Sequence, residues 1–173
     1  QIQAVAEKEL RPVEFIRERV ADGRIVIPAN INHKNLVPMG IGRELLTKIN
    51  ANIGNSSTSS CPQAEKRKLD QAIRYGADTV MDLSTGGDID LIRSSIIAAS
   101  PIPVGTVPVY EIVAKYGADN FDEKTVVNTI LSQAKQGVDY MTIHPGLLHK
   151  YVPIALKRVL GIVSRGGSLI ARW

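Results

Sequence analysis

From Thr47 onward, short runs of apolar residues alternate with longer stretches in which apolar and charged positions recur at helical spacing. "TKINANIG" (47–54) reads as a strand, and "CPQAEKRKLDQAIRYGA" (61–77) as a helix with Pro62 near its start and Gly76 near its end. "DTVMDLS" (78–84) is a buried strand and "GDIDLIRSSIIAAS" (87–100) a helix capped at or near Asp88. "PIPVGTV" (101–107) is a further strand, followed by helical sequence around 108–116 and over "EKTVVNTILSQAKQG" (123–137). "VDYMTIH" (138–144) is a fourth strand, "LLHKYVPIALKR" (147–158) a short helix, and "LGIVSRG" (160–166) a fifth strand. Upstream, residues 7–22 read as one helix with Pro12 at or near a first-turn position and Gly23 at its end, "RIVIPAN" as a short strand-like run, and "INHKNLVPMGIG" as a long loop.

Apolar strands alternating with helices predict an α/β fold with a parallel sheet covered by helices. "RYGADTVMDLSTGG" and "KQGVDYMTIHPG" repeat one plan: helix end, Gly, small apolar residue, Asp, strand, glycine-bearing loop. Repeated units of this kind favour a (β/α) barrel of the TIM type over an open doubly wound sheet. A complete barrel has eight strands and about 250 residues. The five strands read here, in 173 residues, are expected to be its first part, 47–173, with residues 1–46 as a helix-and-loop extension. Such an incomplete wall would leave strand edges uncovered.

Composition narrows the function. Charged residues make up 22% and aromatic residues only 5%, so the core is aliphatic. No apolar run has the length to span a bilayer and no leader is visible, which favours a cytoplasmic protein without a membrane partner. The first residue is Gln1, so the chain is expected to be trimmed or a fragment. The one cysteine, Cys61, excludes an internal disulfide and reads as a structural or surface thiol. Asn55-Ser56-Ser57 matches a glycosylation triplet and is discounted for want of a secretion signal. The net charge of +4 is uneven: no acid follows Asp139, whereas Lys150, Lys157, Arg158, Arg165 and Arg172 do. That lobe suits a phosphorylated small molecule; nucleic acid is disfavoured because no aromatic-basic motif accompanies it.

In parallel barrels the ligand site lies at the C-terminal ends of the strands. Here those ends supply Asn52, Met81-Asp82 with "STGG", Gly105-Thr106, His144 and Ser164-Arg165-Gly166-Gly167. "SRGGS" is either an anion cradle, with Arg165 as a charged fork, or a tight strand-to-helix turn. "STGGD" is either a phosphate-binding helix start or Asp88 capping its helix, with the cap favoured. His144 is either a ligand contact or a structural histidine, and Tyr110 either reaches the mouth or packs beneath it. His33 and His149 lack a metal-ligand partner at suitable spacing and read as solvent-facing or structural.

"IPANINH", "KINANIGNS", "ADTVMDLSTGGDI", "SPIPVGTVPVY", "QAKQGVDYMTIH", "YVP" and "GIVSRGGS" occur in order, and together they closely resemble the phosphomethylpyrimidine synthase family, from about residue 5 to the end. The resemblance implies a homodimeric (β/α)8 radical S-adenosylmethionine enzyme of thiamine biosynthesis. It would rearrange 5-aminoimidazole ribonucleotide into phosphorylated hydroxymethylpyrimidine, releasing formate and carbon monoxide. A [4Fe-4S] cluster would cleave S-adenosylmethionine and the deoxyadenosyl radical would take hydrogen from the ribose. The family's substrate contacts fall on Asn52, Met81, Tyr110, His144, Ser164, Arg165 and Gly166. Its cluster cysteines, in a C-x2-C-x4-C motif, and its two zinc-binding histidines have no counterpart in this sequence, so catalytic and metal residues are expected elsewhere and this stretch alone is expected to be inactive. Pro145 stands where a small residue is common. A sister enzyme making 5-hydroxybenzimidazole from the same substrate, and a non-catalytic half-barrel that binds a phosphorylated ligand or a partner chain, are the alternatives. An aldolase-like barrel is disfavoured, because no lysine stands at a strand end.

Overall fold

The computed structural model describes residues 1–58 and 61–173. The first helical stretch is two helices, α1 (Ile2–Glu9) and α2 (Val13–Ala21), and not the single helix expected over 7–22. Pro12 causes the break: its ring disfavours helical backbone at Arg11, Leu10 turns left-handed (φ 53°), and Pro12 itself becomes the N-cap of α2. Strand β1 (Ile25–Val26) pairs antiparallel with β2 (Ile41–Gly42), a strand that the Gly- and Pro-rich composition of its loop concealed. Val5, Ala6, Ile16 and Ile25 are buried together beneath these elements.

The main sheet has four parallel strands in sequential order: β3 (Asn50–Ile53), β4 (Thr79–Asp82), β5 (Val104–Thr106) and β6 (Tyr140–Met141). Between them run α3 (Pro62–Arg74), α4 (Ile89–Ala99), α5 (Pro108–Tyr116) and α6 (Glu123–Gln136). Asp88 caps α4 by accepting from the Leu91 amide, as expected, and Asp122 caps α6 by accepting from Thr125. The core lies between the sheet and its helices. Ile53, Val80, Val104 and Val138 meet Leu69 of α3 and Ile92, Ile96 and Ile97 of α4. The alternating side-chain directions of the strands therefore send the other set, Asn50, Asn52, Met81, Gly105 and Tyr140, to the opposite face.

The repeated Gly-x-Asp has a physical reason. Gly76 (φ 90°) and Gly137 (φ 111°) take backbone conformations open to glycine as α3 and α6 end. The Asp two residues later accepts the first amide of the preceding strand's neighbourhood: Ile49 N donates to Asp78 at 2.9 Å and Val104 N to Asp139 at 2.8 Å. Each carboxylate thus staples two adjacent strands at their N-terminal ends. Asp139 also receives the Asn30 amide (2.8 Å) and His33 Nδ1 (2.7 Å), while His33 Nε2 meets the Ser100 carbonyl at 2.8 Å. Both ring nitrogens face acceptors, an arrangement that only the protonated imidazole, with two N–H donors, satisfies in full. Burial works against that charge, but Asp139 and the Ser100 carbonyl outweigh it and raise the His33 pKa.

The expected fifth strand over 160–166 is absent. Residues 156–160 form turns, Val159, Leu160 and Val163 lie exposed, and helix α8 (Arg165–Arg172) starts within the stretch. The apolar run has no strand beside it among the described residues, and a strand without a ladder partner is not stable. Ser164 instead caps α8, accepting from Gly167 N at 3.1 Å. The helix expected over 147–158 is reduced to a 3-10 turn (His149–Tyr151) and one turn of helix, α7 (Val152–Ala155).

Candidate functional site at the C-terminal ends of the strands

Register places the first predicted residues side by side. Asn52 pairs with Met81, Met81 with Gly105, and Gly105 with Tyr140. These four share the face turned away from α3 and α4, where Asn52 is exposed and Met81 half-buried. The Tyr140 ring lies flat across this face because Gly105 has no side chain; a Cβ there would come within 2.3 Å of the ring. Two residues on from Tyr140, the Thr142 hydroxyl sits 3.9 Å from the Met81 sulfur.

The other predicted residues meet at the mouth. His144, half-buried, lies against Gly166, whose absent Cβ would stand 2.2 Å from the imidazole Cε1. The guanidinium of the next residue back, Arg165, stacks over the Tyr110 ring at 4.7 Å from its centroid. Tyr110, on α5, thus meets the start of α8. Ser164, Arg165, Gly166, His144 and Tyr110 therefore form one group, built by α8 crossing α5 beside the end of β6. "SRGGS" is a loop-to-helix turn whose serine caps α8, with the first amides and the positive dipole end of that helix at the same place. Asn52 and Met81 lie on the adjoining inner face, with Thr142 between them and His144 in the alternation of the chain.

"STGGD" is a structural loop. The Asn55 side chain brackets Gly86, donating to its carbonyl at 2.7 Å and accepting from its amide at 3.3 Å. A Cβ on Gly86 would fall 2.3 Å from the Ser56 carbonyl, so the two loops after β3 and β4 are locked together. Asn55 is buried in this clamp.

Beneath the mouth lies a charged cluster that the sequence reading overlooked. Arg93 of α4 meets Glu111 of α5 at 2.6 Å and approaches Asp82, at the end of β4, at 3.7 Å. Gln133 of α6 donates to Glu111 and accepts from Thr106, both at 2.6 Å. Burial raises the Asp82 pKa despite the Ser84 hydrogen bonds and the Arg93 charge. Burial also acts to raise Glu111, but the charge of Arg93 and the bonds from Lys115 and Gln133 prevail and hold it below the usual carboxylate range. One pattern could have exposed this cluster: Arg93 is the sole charged residue on the otherwise apolar inner side of α4. Likewise, period two in "VDYMTIH" aligns Tyr140 and Thr142 with His144, although only the last was singled out.

The basic lobe is partly neutralised, since Arg172 pairs with Asp119. A cluster-binding centre does not fit this stretch. Cys61 is the one cysteine and is exposed, and no three His, Cys, Asp or Glu converge as metal ligands among the described residues. Of the other histidines, His33 is structural and His149 is exposed. No helix among the described residues is long and apolar enough to cross a membrane.

Comparison with known proteins establishes the kinship of the chain. The family described as "Radical SAM ThiC family" matches residues 1–173. A phosphomethylpyrimidine synthase from Natronomonas pharaonis is 56% identical over 173 residues, covering 99% of this chain. The chain spans 36% of that relative's length. A match along every residue settles the kinship: this chain belongs to the radical SAM ThiC family.

Proposed function

We propose that this chain is the substrate-holding part of a phosphomethylpyrimidine synthase, the N-terminal and early-barrel portion of a longer protein. The intact enzyme rearranges 5-aminoimidazole ribonucleotide into 4-amino-5-hydroxymethyl-2-methylpyrimidine phosphate in thiamine biosynthesis. The observation that carries this reading is the convergence of His144, Gly166, Ser164, Arg165 and Tyr110 at one mouth, beside the face bearing Asn52 and Met81. Family membership implies S-adenosylmethionine and an iron–sulfur cluster. The proposal assigns the [4Fe-4S] cluster and a zinc ion to residues outside this stretch, because the donor set here does not suit either.

The roles follow from chemistry. Ser164, Arg165 and Gly166 form the phosphate end of the site, joining a helix start to a guanidinium held in place by an aromatic ring. His144 and Asn52 make hydrogen bonds to the ribose or base. Met81 and Tyr110 form the walls. Residues 47–173 are the opening part of a (β/α)8 barrel, and the edges of β3 and β6 are where further strands join. Residues 1–46 are an extension laid against it. The intact protein is proposed to be a cytoplasmic homodimer.

The test is His144→Ala in the full-length protein, reconstituted and supplied with 5-aminoimidazole ribonucleotide, with products identified by mass spectrometry. The pyrimidine phosphate is expected from the unaltered protein and a sharp fall in turnover from the variant. Near-normal turnover would remove His144 from the site.

A further inference from the structure

Asn52 does not stand alone on the inner face. Its side-chain carbonyl accepts from Asn50 Nδ2 at 2.9 Å. The Asn50 carbonyl in turn lies 3.0 Å from the Thr79 hydroxyl and 2.9 Å from the Tyr140 hydroxyl. The Tyr140 hydroxyl also lies 3.2 Å from the Val80 carbonyl, so acceptors surround it and it serves as a donor. Burial raises its pKa, which keeps the proton on the oxygen. The ring carrying that hydroxyl is fixed over Gly105, where a Cβ would meet it at 2.3 Å.

An amide side chain has one oxygen and one NH2 group, and committing one end commits the other. With hydroxyl donors on its oxygen, Asn50 points its NH2 at Asn52. With its oxygen taken by that NH2, Asn52 turns its own NH2 away from Asn50, and no acceptor among the described residues meets it.

We propose that Tyr140, Thr79 and Asn50 are positioning residues that set the orientation of the Asn52 amide, so that Asn52 offers a hydrogen-bond donor and the ligand atom it meets is an acceptor, a ribose oxygen or an unprotonated ring nitrogen. This rests on the reading of Asn52 as a substrate contact.

The experiment is a pair of double-mutant cycles in the full-length protein, with 5-aminoimidazole ribonucleotide binding followed by calorimetry. Asn52→Ala is expected to weaken binding roughly three- to tenfold, the loss of one hydrogen bond. Tyr140→Phe keeps the ring over Gly105 and removes only the hydroxyl; a loss of similar sign is expected alone, and none further in the Asn52→Ala background. Asn50→Asp replaces the inward NH2 by an acceptor and forces the Asn52 amide to reverse. Its penalty is expected to shrink in the Asn52→Ala background, whereas any effect of its charge, or of general loosening of the fold, persists equally in both. If Asn52→Ala weakens binding but the Tyr140→Phe and Asn50→Asp penalties are the same in both backgrounds, the relay is overturned and the site reading stands. If Asn52→Ala leaves affinity unchanged, the site reading falls and the relay with it.

Discussion

The imidazole of His144 occupies the space in which Gly166 would carry a side chain, with Cε1 only 2.2 Å from the position of a Cβ. The end of β6 and the start of α8 are thereby fixed against each other through a single missing methyl group. Gly166→Ala is expected to displace the imidazole or the helix start and to destabilise the protein by about 1–3 kcal/mol, the usual range for overpacking a tight contact. Thermal melting would register that loss. Calorimetry with the ribonucleotide should show weakened binding, and unchanged affinity would detach this contact from the ligand site.

The guanidinium of Arg165 lies over the face of Tyr110, 4.7 Å from the ring centroid. Arg165→Ala is expected to reduce affinity for the phosphorylated ligand at least tenfold, since a hydrogen bond to a charged group contributes about 1.5–3 kcal/mol. Arg165→Lys should recover only part of this, because an ammonium restores the charge without the planar fork. A titration series over salt concentration checks both: the wild-type affinity should fall with added salt more steeply than that of the alanine variant.

Arg93 neutralises Glu111 and faces Asp82 in a place closed to water. Arg93→Ala takes the facing cation from Asp82 and leaves Glu111 with Lys115 alone, and it is expected to cost about 3–5 kcal/mol in chemical denaturation. Asp82→Asn should cost distinctly less, because burial already favours the neutral form of that carboxyl. Equal losses from the two substitutions would contradict the arrangement.

His33 gives the molecule a pH dependence at the opposite end of the sheet. Its pKa in the folded protein lies above the ordinary value of 6.5. The sign follows from linkage: the stabilisation is complete below the unfolded value and is lost as pH rises through the raised folded value. Denaturation midpoints of wild type and His33→Gln, measured from about pH 6 to about pH 9, should therefore converge toward the alkaline end. A gap that widens with pH would show that the imidazole is neutral in the fold.

Much of this was legible in the sequence for reasons that are local. Alternating βα units, the Asp88 cap and the glycines ending α3 and α6 each depend on neighbours within a few residues, so the chain displays them directly. The mouth was legible because strand ends and a Gly-rich turn mark it, and His144, Ser164, Arg165 and Gly166 do gather there. What escaped depends on partners distant in the chain. Asn30 and His33 bind Asp139, more than a hundred residues away, and Arg93 meets Glu111 only because α4 and α5 stand together. The false strand over 160–166 had the right composition, but composition carries no record of whether a neighbouring strand is present. The single helix over 7–22 failed for a smaller reason, one proline placed one turn too far along.

The His33–Asp139 latch sits at the strands' beginnings and the His144–Gly166 contact beyond their finish. The latch and the proposed recognition site thus lie at opposite poles of the same parallel wall. An engineer could harden one pole against heat or alkali without retuning the other, and natural variation has the same freedom.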